Sequence, residues 1–419
     1  MSKKIIAYTM VFLMAMSFGS INVLADEFGS VPVDISNDYI DSEPVVWNTY
    51  VVWTRGLDLD VGGTITVDEP SWIMVYNTIS EEAWNITPHV GAGFLGGSSY
   101  YHAQNPDIYG DKIVYQYQRS VTSDDTGLSM YNITNNETWV VPIPMTFTSG
   151  GLQKIYGDWI FSTHYGTYRI GVIYNYKTGE YYEVSDIHRP STGIGAISMN
   201  GKYVTWTENF YSGVVLQTQA VMIFNLDNLK SIQLYADDKV GNPTRLRTPS
   251  VYYETIIFSI LDTTPTLSYN LYSFDLSTVN WSAISGNIHA PTTLLWANME
   301  GNITEVSVDF TNDTVSSSIW INSVYYQKST ESGKIYKYDI RTNSTITILD
   351  IPYTVYLGDI HYDKVVWSDD RAGEFNIYRL TTNMESFSDI LILSIPVIFI
   401  GIVIALFWKA FSGGLGGMS

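Results

Sequence analysis

The chain has 419 residues, no cysteine and a formal charge of −20, from 22 Lys+Arg against 42 Asp+Glu. Lack of cysteine excludes disulfides and thiolate metal sites, and the acidity disfavours nucleic acid and anionic lipid headgroups as partners. Aromatic residues reach 14%, with 32 Tyr and 12 Trp, and no long internal stretch has helical periodicity, which predicts an all-β core.

In chain order, residues 1–25 read as a signal peptide. Lys3 and Lys4 precede an apolar run, Ile5 to Phe18, and Val23-Leu24-Ala25 offers a small-residue cleavage site before Asp26. Removal of the two lysines would make the mature chain more acidic still. Next, residues 31–36 (Val-Pro-Val-Asp-Ile-Ser) form a strand-like segment with no neighbour of its own to pair with.

A repeated unit follows. Its first half is a tight turn leading into an apolar strand. It occurs at Asn48-Thr49-Tyr50-Val51-Val52-Trp53, at Gly110-Asp111-Lys112-Ile113-Val114-Tyr115 and at Gly157-Asp158-Trp159-Ile160-Phe161. Further copies stand at Asn200-Gly201-Lys202-Tyr203-Val204, Tyr253-Glu254-Thr255-Ile256-Ile257-Phe258, Ile321-Asn322-Ser323-Val324-Tyr325-Tyr326 and Tyr362-Asp363-Lys364-Val365-Val366-Trp367. Asn-Gly and Gly-Asp accept positive φ and so mark tight turns. The second half is a strand ending in an aromatic plus Asn or Asp, a polar turn, and a further strand. Its copies begin at Tyr76, Tyr131, Tyr174, Phe224, Phe274 and Tyr338, and four carry an aromatic seven or eight residues on, at Trp84, Trp139, Tyr182 and Trp281. Seven units of about four strands predict a seven-bladed β-propeller over residues 26–383. The long interval from Ile284 to Ser318 reads as an insertion or long loop. The seventh unit lacks a fourth strand, so residues 31–36 are expected to complete it and close the ring.

Residues 384–389 read as a short linker. Ile390 to Trp408 is an uncharged run of nineteen residues, about 28 Å as a helix and long enough to cross a bilayer. Lys409 on its far side places the glycine-rich tail, 409–419, in the cytoplasm and the propeller outside.

Residues 360–378, with His361-Tyr362-Asp363-Lys364-Val365-Val366-Trp367, the Asp369-Asp370-Arg371-Ala372-Gly373 loop and Ile377-Tyr378, resemble the repeat of TolB-like propellers, especially those of archaeal cell-surface proteins. The resemblance implies a fold and a surface location, and no single activity.

No catalytic constellation stands out, and no cofactor is expected. The six histidines lack H-x-x-H spacing and no G-x-S-x-G elbow occurs. Ser123 to Met130 resembles a single sialidase Asp-box, without an arginine triad to accompany it, and Tyr176 to Tyr182 reads as a hairpin turn. Asp369, Asp370 and Arg371 form a candidate binding loop, with an internal Arg–carboxylate pair as the plainer alternative. Asn85, Asn132, Asn136, Asn280, Asn302, Asn312 and Asn343 are candidate glycosylation sites. The expected role is a non-enzymatic, membrane-anchored surface propeller that binds an envelope protein, a glycan or its own copy. The alternatives are a polysaccharide lyase or glycoside hydrolase, and an accessory subunit of a membrane transport or secretion complex.

Overall fold

The computed structural model describes residues 30–34, 39–57, 70–87, 102–118, 126–143, 152–165, 169–184, 191–212, 215–237, 246–262, 268–284, 303–311, 315–362, 364–372 and 374–381. Residues 1–380 form one compact unit, and the remainder a second that is described only at Thr381. The expected signal peptide and the expected membrane span at 390–408 lie outside the described residues. No helix among those described is long and apolar enough to cross a membrane.

After β1 (Ser30–Asp34), the strands run in antiparallel groups. The first repeat holds β2 (Ile40–Trp47), β3 (Tyr50–Gly56), β4 (Ser71–Asn77) and β5 (Glu82–Asn85). The second holds β6 (His102–Tyr109), β7 (Lys112–Gln118), β8 (Thr126–Asn132) and β9 (Glu137–Val140). The third has β10 (Gln153–Tyr156), β11 (Trp159–Tyr165), β12 (Arg169–Asn175) and β13 (Tyr181–Glu183). The fourth has β14 (Ser191–Asn200), β15 (Tyr203–Ser212), β16 (Val215–Asn225) and β17 (Lys230–Asp237). The fifth comprises β18 (Leu246–Tyr252), β19 (Thr255–Asp262), β20 (Ser268–Asp275) and β21 (Ile303–Thr311). The sixth comprises β22 (Val315–Trp320), β23 (Ser323–Lys328), β24 (Lys334–Asp339) and β25 (Ser344–Asp350). The last repeat supplies β26 (Val355–His361), β27 (Lys364–Asp369) and β28 (Asn376–Thr381), and β1 adds the fourth strand with Ser30 opposite Leu380 and Pro32 opposite Tyr378.

The expectation of seven separate four-stranded blades is corrected in count. The described residues form five four-stranded sheets and one sheet of eight, because the first two repeats are joined by a parallel pair, Ser71 with His102. That joint is riveted by side chains. Ser71 Oγ lies 2.8 Å from His102 Nδ1, donates to the Ala103 carbonyl at 2.8 Å and accepts from the Ala103 N–H at 3.1 Å.

The first strands of the repeats neighbour one another in turn, β2, β6, β10, β14, β18, β22 and β26, and β26 returns to β2. These are the strands around a central channel. Between each pair of neighbouring repeats sits an apolar cluster of buried residues. The second strand of each repeat is covered on both faces, which is why Tyr50 to Trp53 or Lys364 to Trp367 reads as a continuous apolar run rather than an alternating one. Trp53, Tyr115, Trp206, Phe258, Tyr326 and Trp367 occupy the same position of that strand and are almost fully buried. The third repeat has Ser162 there. Its ring comes from Phe161, one residue earlier and therefore on the opposite face, where it meets Trp206 of the next repeat at 5.3 Å. Gly171 makes the space: a Cβ there would lie 2.8 Å from the Phe161 ring.

The interval from Ile284 to Ser318 is also corrected. It contains β21, the fourth strand of the fifth sheet, so it is not simply an insertion. Trp281 does not begin that strand. Asp275 accepts the Ser277 N–H at 2.9 Å and its carbonyl takes the Thr278 hydroxyl at 2.6 Å, which coils the chain into 3₁₀ turns at Leu276–Thr278 and Trp281–Ala283.

The seam between last and first repeats is tight at Gly358, where a Cβ would lie 2.4 Å from the Pro44 carbonyl oxygen. Because the obstacle is backbone, Gly358→Ala is expected to destabilise the protein by about 1–3 kcal/mol. Urea denaturation followed by tryptophan fluorescence measures this, and an unchanged midpoint would show that the seam yields freely.

Candidate binding site at the channel mouth

Each first strand ends in a triplet just before its tight turn, as in Asp107-Ile108-Tyr109, Lys154-Ile155-Tyr156 and Asp359-Ile360-His361, and most of these residues line the channel. The last residue of each triplet stands at the mouth. Ring centroids there run Tyr252–Trp320 at 4.6 Å, Trp320–His361 at 4.7 Å, His361–Trp47 at 4.1 Å, Trp47–Tyr109 at 4.4 Å and Tyr109–Tyr156 at 4.3 Å. Offset and tilted ring pairs at such distances attract one another beyond their burial. The collar is interrupted at the fourth repeat, where Asn200 takes the aromatic position. Burial lifts the Tyr156 phenol to about 12, and burial raises that of Tyr252 as well, so both stay neutral in any ordinary buffer.

The first residue of the triplet lies one layer deeper, and its polar atoms staple repeat to repeat. Asp107 Oδ2 accepts the Ile155 N–H at 2.7 Å, Ser198 accepts that of Val251 at 3.1 Å, Ser250 that of Ile319 at 3.3 Å, and Asp359 that of Val46 at 3.2 Å. The mouth layer repeats the device. Asn200 Oδ1 accepts the Tyr253 N–H at 3.1 Å and His361 Nδ1 that of Asn48 at 2.9 Å. These side chains satisfy backbone donors that no sheet ladder reaches.

Lys154 donates to Asp107 Oδ1 at 2.9 Å. Its side chain keeps 30% of its surface and Asp107 keeps 10%, both facing the channel rather than bulk solvent. Burial pushes the Asp107 carboxyl up, against Lys154 and the Ile155 and Ile108 N–H groups, which draw it down. Burial alone would lower Lys154, but Asp107, Asp359 and Glu43 more than offset this and hold it above its ordinary value. Asp359 is pushed up to about 6 by burial, with Lys154 opposing and Asp107 adding to the rise. A carboxyl whose folded pKa lies above its unfolded value stabilises the fold most below the unfolded pKa, and that contribution is lost as pH rises through the folded one. Asp359→Asn should therefore raise stability at pH 8, by about 1–3 kcal/mol, and the gain should vanish below pH ~4. Unfolding midpoints of the two proteins across pH 4 to 8 test the sign.

The turns above the collar are unequal. Each places its first residue at positive φ, from 49° to 63°. Four use Asn48, Gly110, Gly157 and Gly201, residue types that tolerate this. The fifth, sixth and seventh repeats use Tyr253 (φ 49°), Ile321 (φ 56°) and Tyr362 (φ 55°), which are 56%, 51% and 60% exposed. A side chain with a Cβ costs about 1–2 kcal/mol in this conformation. Three bulky apolar residues are thus held strained and exposed on one arc of the mouth. Such outliers are retained where the surroundings or a function require them.

The binding loop singled out in the sequence lies elsewhere. Asp369 is buried and accepts from Trp367 Nε1 at 2.7 Å and from Arg371 through N at 3.1 Å, Nε at 2.9 Å and a terminal guanidinium nitrogen at 2.7 Å. Arg371 stacks on Tyr378 at 4.0 Å, and Asp370 accepts the Thr354 N–H at 3.0 Å. Gly373 lies outside the described residues. These contacts tie the loop to its own strands.

Among the sequons, Asn302 and Asn312 lie outside the described residues. The other five use their side-chain oxygen locally. Asn85 accepts the Thr87 N–H at 2.8 Å, Asn132 the Thr134 N–H at 2.9 Å, Asn136 the Tyr131 hydroxyl at 2.7 Å, Asn280 the Ser282 hydroxyl at 2.6 Å and Asn343 the Tyr338 hydroxyl at 2.8 Å. The Asp-box-like stretch is described only from Thr126, which opens β8. Lys177 and Thr178 form a turn whose N–H groups bond to Asn175 Oδ1. Among the described residues, no group of His, Asp and Glu gathers as a metal site would.

Sequence reading missed the channel network. A signal for it was present: a lone charge three residues before the first residue of the turn, in Asp107-Ile-Tyr, Lys154-Ile-Tyr and Asp359-Ile-His.

Repeated antiparallel sheets around a channel define an all-β propeller. No family model matches the chain, and no curated protein matches it. Solved structures do. The β-propeller domain of the Trilobed protease from Pyrococcus furiosus, described as having an open velcro topology, shares 11% identity over 83% of this chain and 94% of its own, with a TM-score of 0.55. A puromycin-hydrolyzing peptidase of Mycobacterium tuberculosis shares 11% over 83% of this chain and 51% of its own, with a TM-score of 0.52. TolB from Acinetobacter baumannii is similar more loosely, at 13% identity over 79% and 80% of the two chains with a TM-score of 0.38. The chain spans about half the length of the M. tuberculosis peptidase it matches. At such identities the likeness establishes the fold alone. The first of these is described as open, whereas here β1 pairs with β28.

Proposed function

We propose that this chain is a non-enzymatic, membrane-anchored surface propeller, exported through residues 1–25 and held by 390–408, that binds a partner at its channel mouth. On this reading the two joined repeats count as two of seven blades, of the TolB-like type seen in archaeal surface proteins, and exposed sequons such as Asn136 and Asn343 carry glycans. One observation carries it: Asp107, Ser198, Ser250 and Asp359 of the channel are committed to the backbone of neighbouring repeats and Lys154 to Asp107, while the exposed residues above them, Tyr253, Ile321 and Tyr362, are apolar and strained. That is the build of a recognition surface, with aromatic anchors around a fixed scaffold.

The peptidase activities named for the similar structures remain with those proteins. The test uses the full-length chain as bait against a detergent extract of the host envelope. Specific retention of an envelope protein or glycan supports the reading, and a transporter or secretion subunit among the retained proteins turns it into the accessory role. Turnover of an envelope polymer by the purified chain would replace it with the lyase or hydrolase alternative.

A further inference from the structure

We infer that the channel mouth binds a neutral glycan, with Tyr253, Ile321 and Tyr362 as its stacking crescent. The inference rests on the binding reading above and names its ligand class.

Charge comes first. The rim pairs are matched: Lys112 with Asp111 at 2.5 Å, Lys177 with Asp158 at 2.8 Å, and Lys202 with Glu254 at 3.2 Å. Below them, Asp107 and Asp359 share Lys154 and accept backbone N–H groups. Among the described residues, the carboxylates of these rim pairs and of the layer below are therefore compensated, which disfavours a cationic ligand. An anionic polymer meets a chain of charge −20. A neutral ligand fits both conditions.

Donors come second. Trp320 is nine-tenths buried, lines the channel cavity, and its indole N–H has no acceptor among the described residues. A buried donor without a partner is costly, and such groups in a native protein call for one. Asn200 spends its Oδ1 on the Tyr253 N–H, which leaves its amide Nδ2 to donate beside the gap in the collar. Sugar hydroxyls accept from such donors.

Shape comes third. Tyr362 lies 5.2 Å from the Trp320 ring and 4.5 Å from His361, and Tyr253 lies 4.8 Å from Tyr252, so the crescent continues the collar outward as an open aromatic surface. The opposite arc is low. A Cβ on Gly110 or Gly157 would meet nothing within 4 Å. A pyranose presents an apolar C–H face for such rings and a hydroxyl edge for the donors. An apolar crescent facing an open arc admits the end or the side of a chain of such rings.

The strain supplies an unusual test. At positive φ, glycine is cheaper than tyrosine, so Tyr253→Gly and Tyr362→Gly should hold or raise the unfolding temperature while weakening binding. The full-length chain, in a detergent without a sugar headgroup, is titrated with maltohexaose, cellohexaose, mannohexaose and chitohexaose. Heat and tryptophan fluorescence are followed. The expected result is binding of at least one oligosaccharide, left intact, and a loss of tenfold or more in affinity for each glycine variant and for Ile321→Asn. No binding by any of the four overturns the inference, as does binding indifferent to the three substitutions. A lowered unfolding temperature in all three variants makes the residues structural and also overturns it. If no sugar binds but a protein captured from the envelope is lost on the same substitutions, the glycan fails and the binding function stands.

Discussion

Asp369→Ala is expected to destabilise the protein by about 3–5 kcal/mol, the range for breaking a buried ion pair by removing one partner. The carboxylate has no exposed surface and takes five hydrogen bonds, one from the Trp367 indole and four from Arg371, whose Nε reaches both oxygens. Alanine strands a buried indole N–H and leaves a guanidinium, 23% exposed, over the Tyr378 ring without its counter-charge. Tyr378 sits in β28 opposite Pro32 of β1, so the damage falls on the strand that receives the N-terminal segment. Arg371→Lys should cost less, since it keeps a charge but loses the planar fork that meets both oxygens. Asp370→Ala removes one acceptor at a half-exposed site and should cost about 1 kcal/mol. Urea unfolding of the three variants, with hydrogen exchange read over residues 355–381, gives the ranking. Equal effects at Asp369 and Asp370 would contradict it.

Lys154→Met is expected to cost about 2–4 kcal/mol at pH 8, less than for a fully buried pair because the side chain opens to the channel. The ammonium lies among Asp107, Asp359 and Glu43, and it is the group that draws down the Asp107 and Asp359 carboxyls. Without it, their folded pKa values rise further above the unfolded ones. The sign follows from linkage: stability is retained below the unfolded carboxyl pKa and is lost as pH rises through the raised folded values. The variant should therefore approach wild type near pH 4 and fall away towards pH 8. Adding Asp107→Asn should recover part of the loss at pH 8, since one of the two unpaired charges is gone. A pH-independent loss would mean that Lys154 acts through the packing of its stem rather than through its charge.

The repeats were legible because two local rules agree in them. A residue suited to positive φ, such as Gly110, Gly157 or Gly201, precedes a strand whose burial on both faces makes it wholly apolar. Where the rules part, reading faltered. Tyr253, Ile321 and Tyr362 stand at positive φ against their own preference, so their type gave no hint that they are exposed at the mouth. Trp281 follows Phe274 by seven residues, one fewer than the eight of the other three repeats, yet the Asp275 cap turns that segment into 3₁₀ coils and the fourth strand is β21, from Ile303. The Asp107–Lys154–Asp359 group was missed for another reason: each charge shows in the sequence, but their meeting does not. Its members sit on different repeats, and only ring closure brings them together. For the Asp369 loop, the plainer alternative of an internal Arg–carboxylate pair describes the contacts found.

The pairing of β1 with β28 also sets an order of events. Ser30 leaves the ribosome among the first residues of the propeller and Leu380 as its last, yet they become neighbours. While the chain is made from its N-terminus, the repeats from the second to the sixth can stack as they emerge, each on the one before. β1 has no such neighbour. It must wait as an unpaired strand until the last repeat has emerged, and contacts so distant in sequence form slowly. A stalled or shortened chain would present both that strand and the open flank of its last sheet, the combination from which intermolecular strand exchange begins. Completion of the ring is thus a built-in report that synthesis of the propeller has finished.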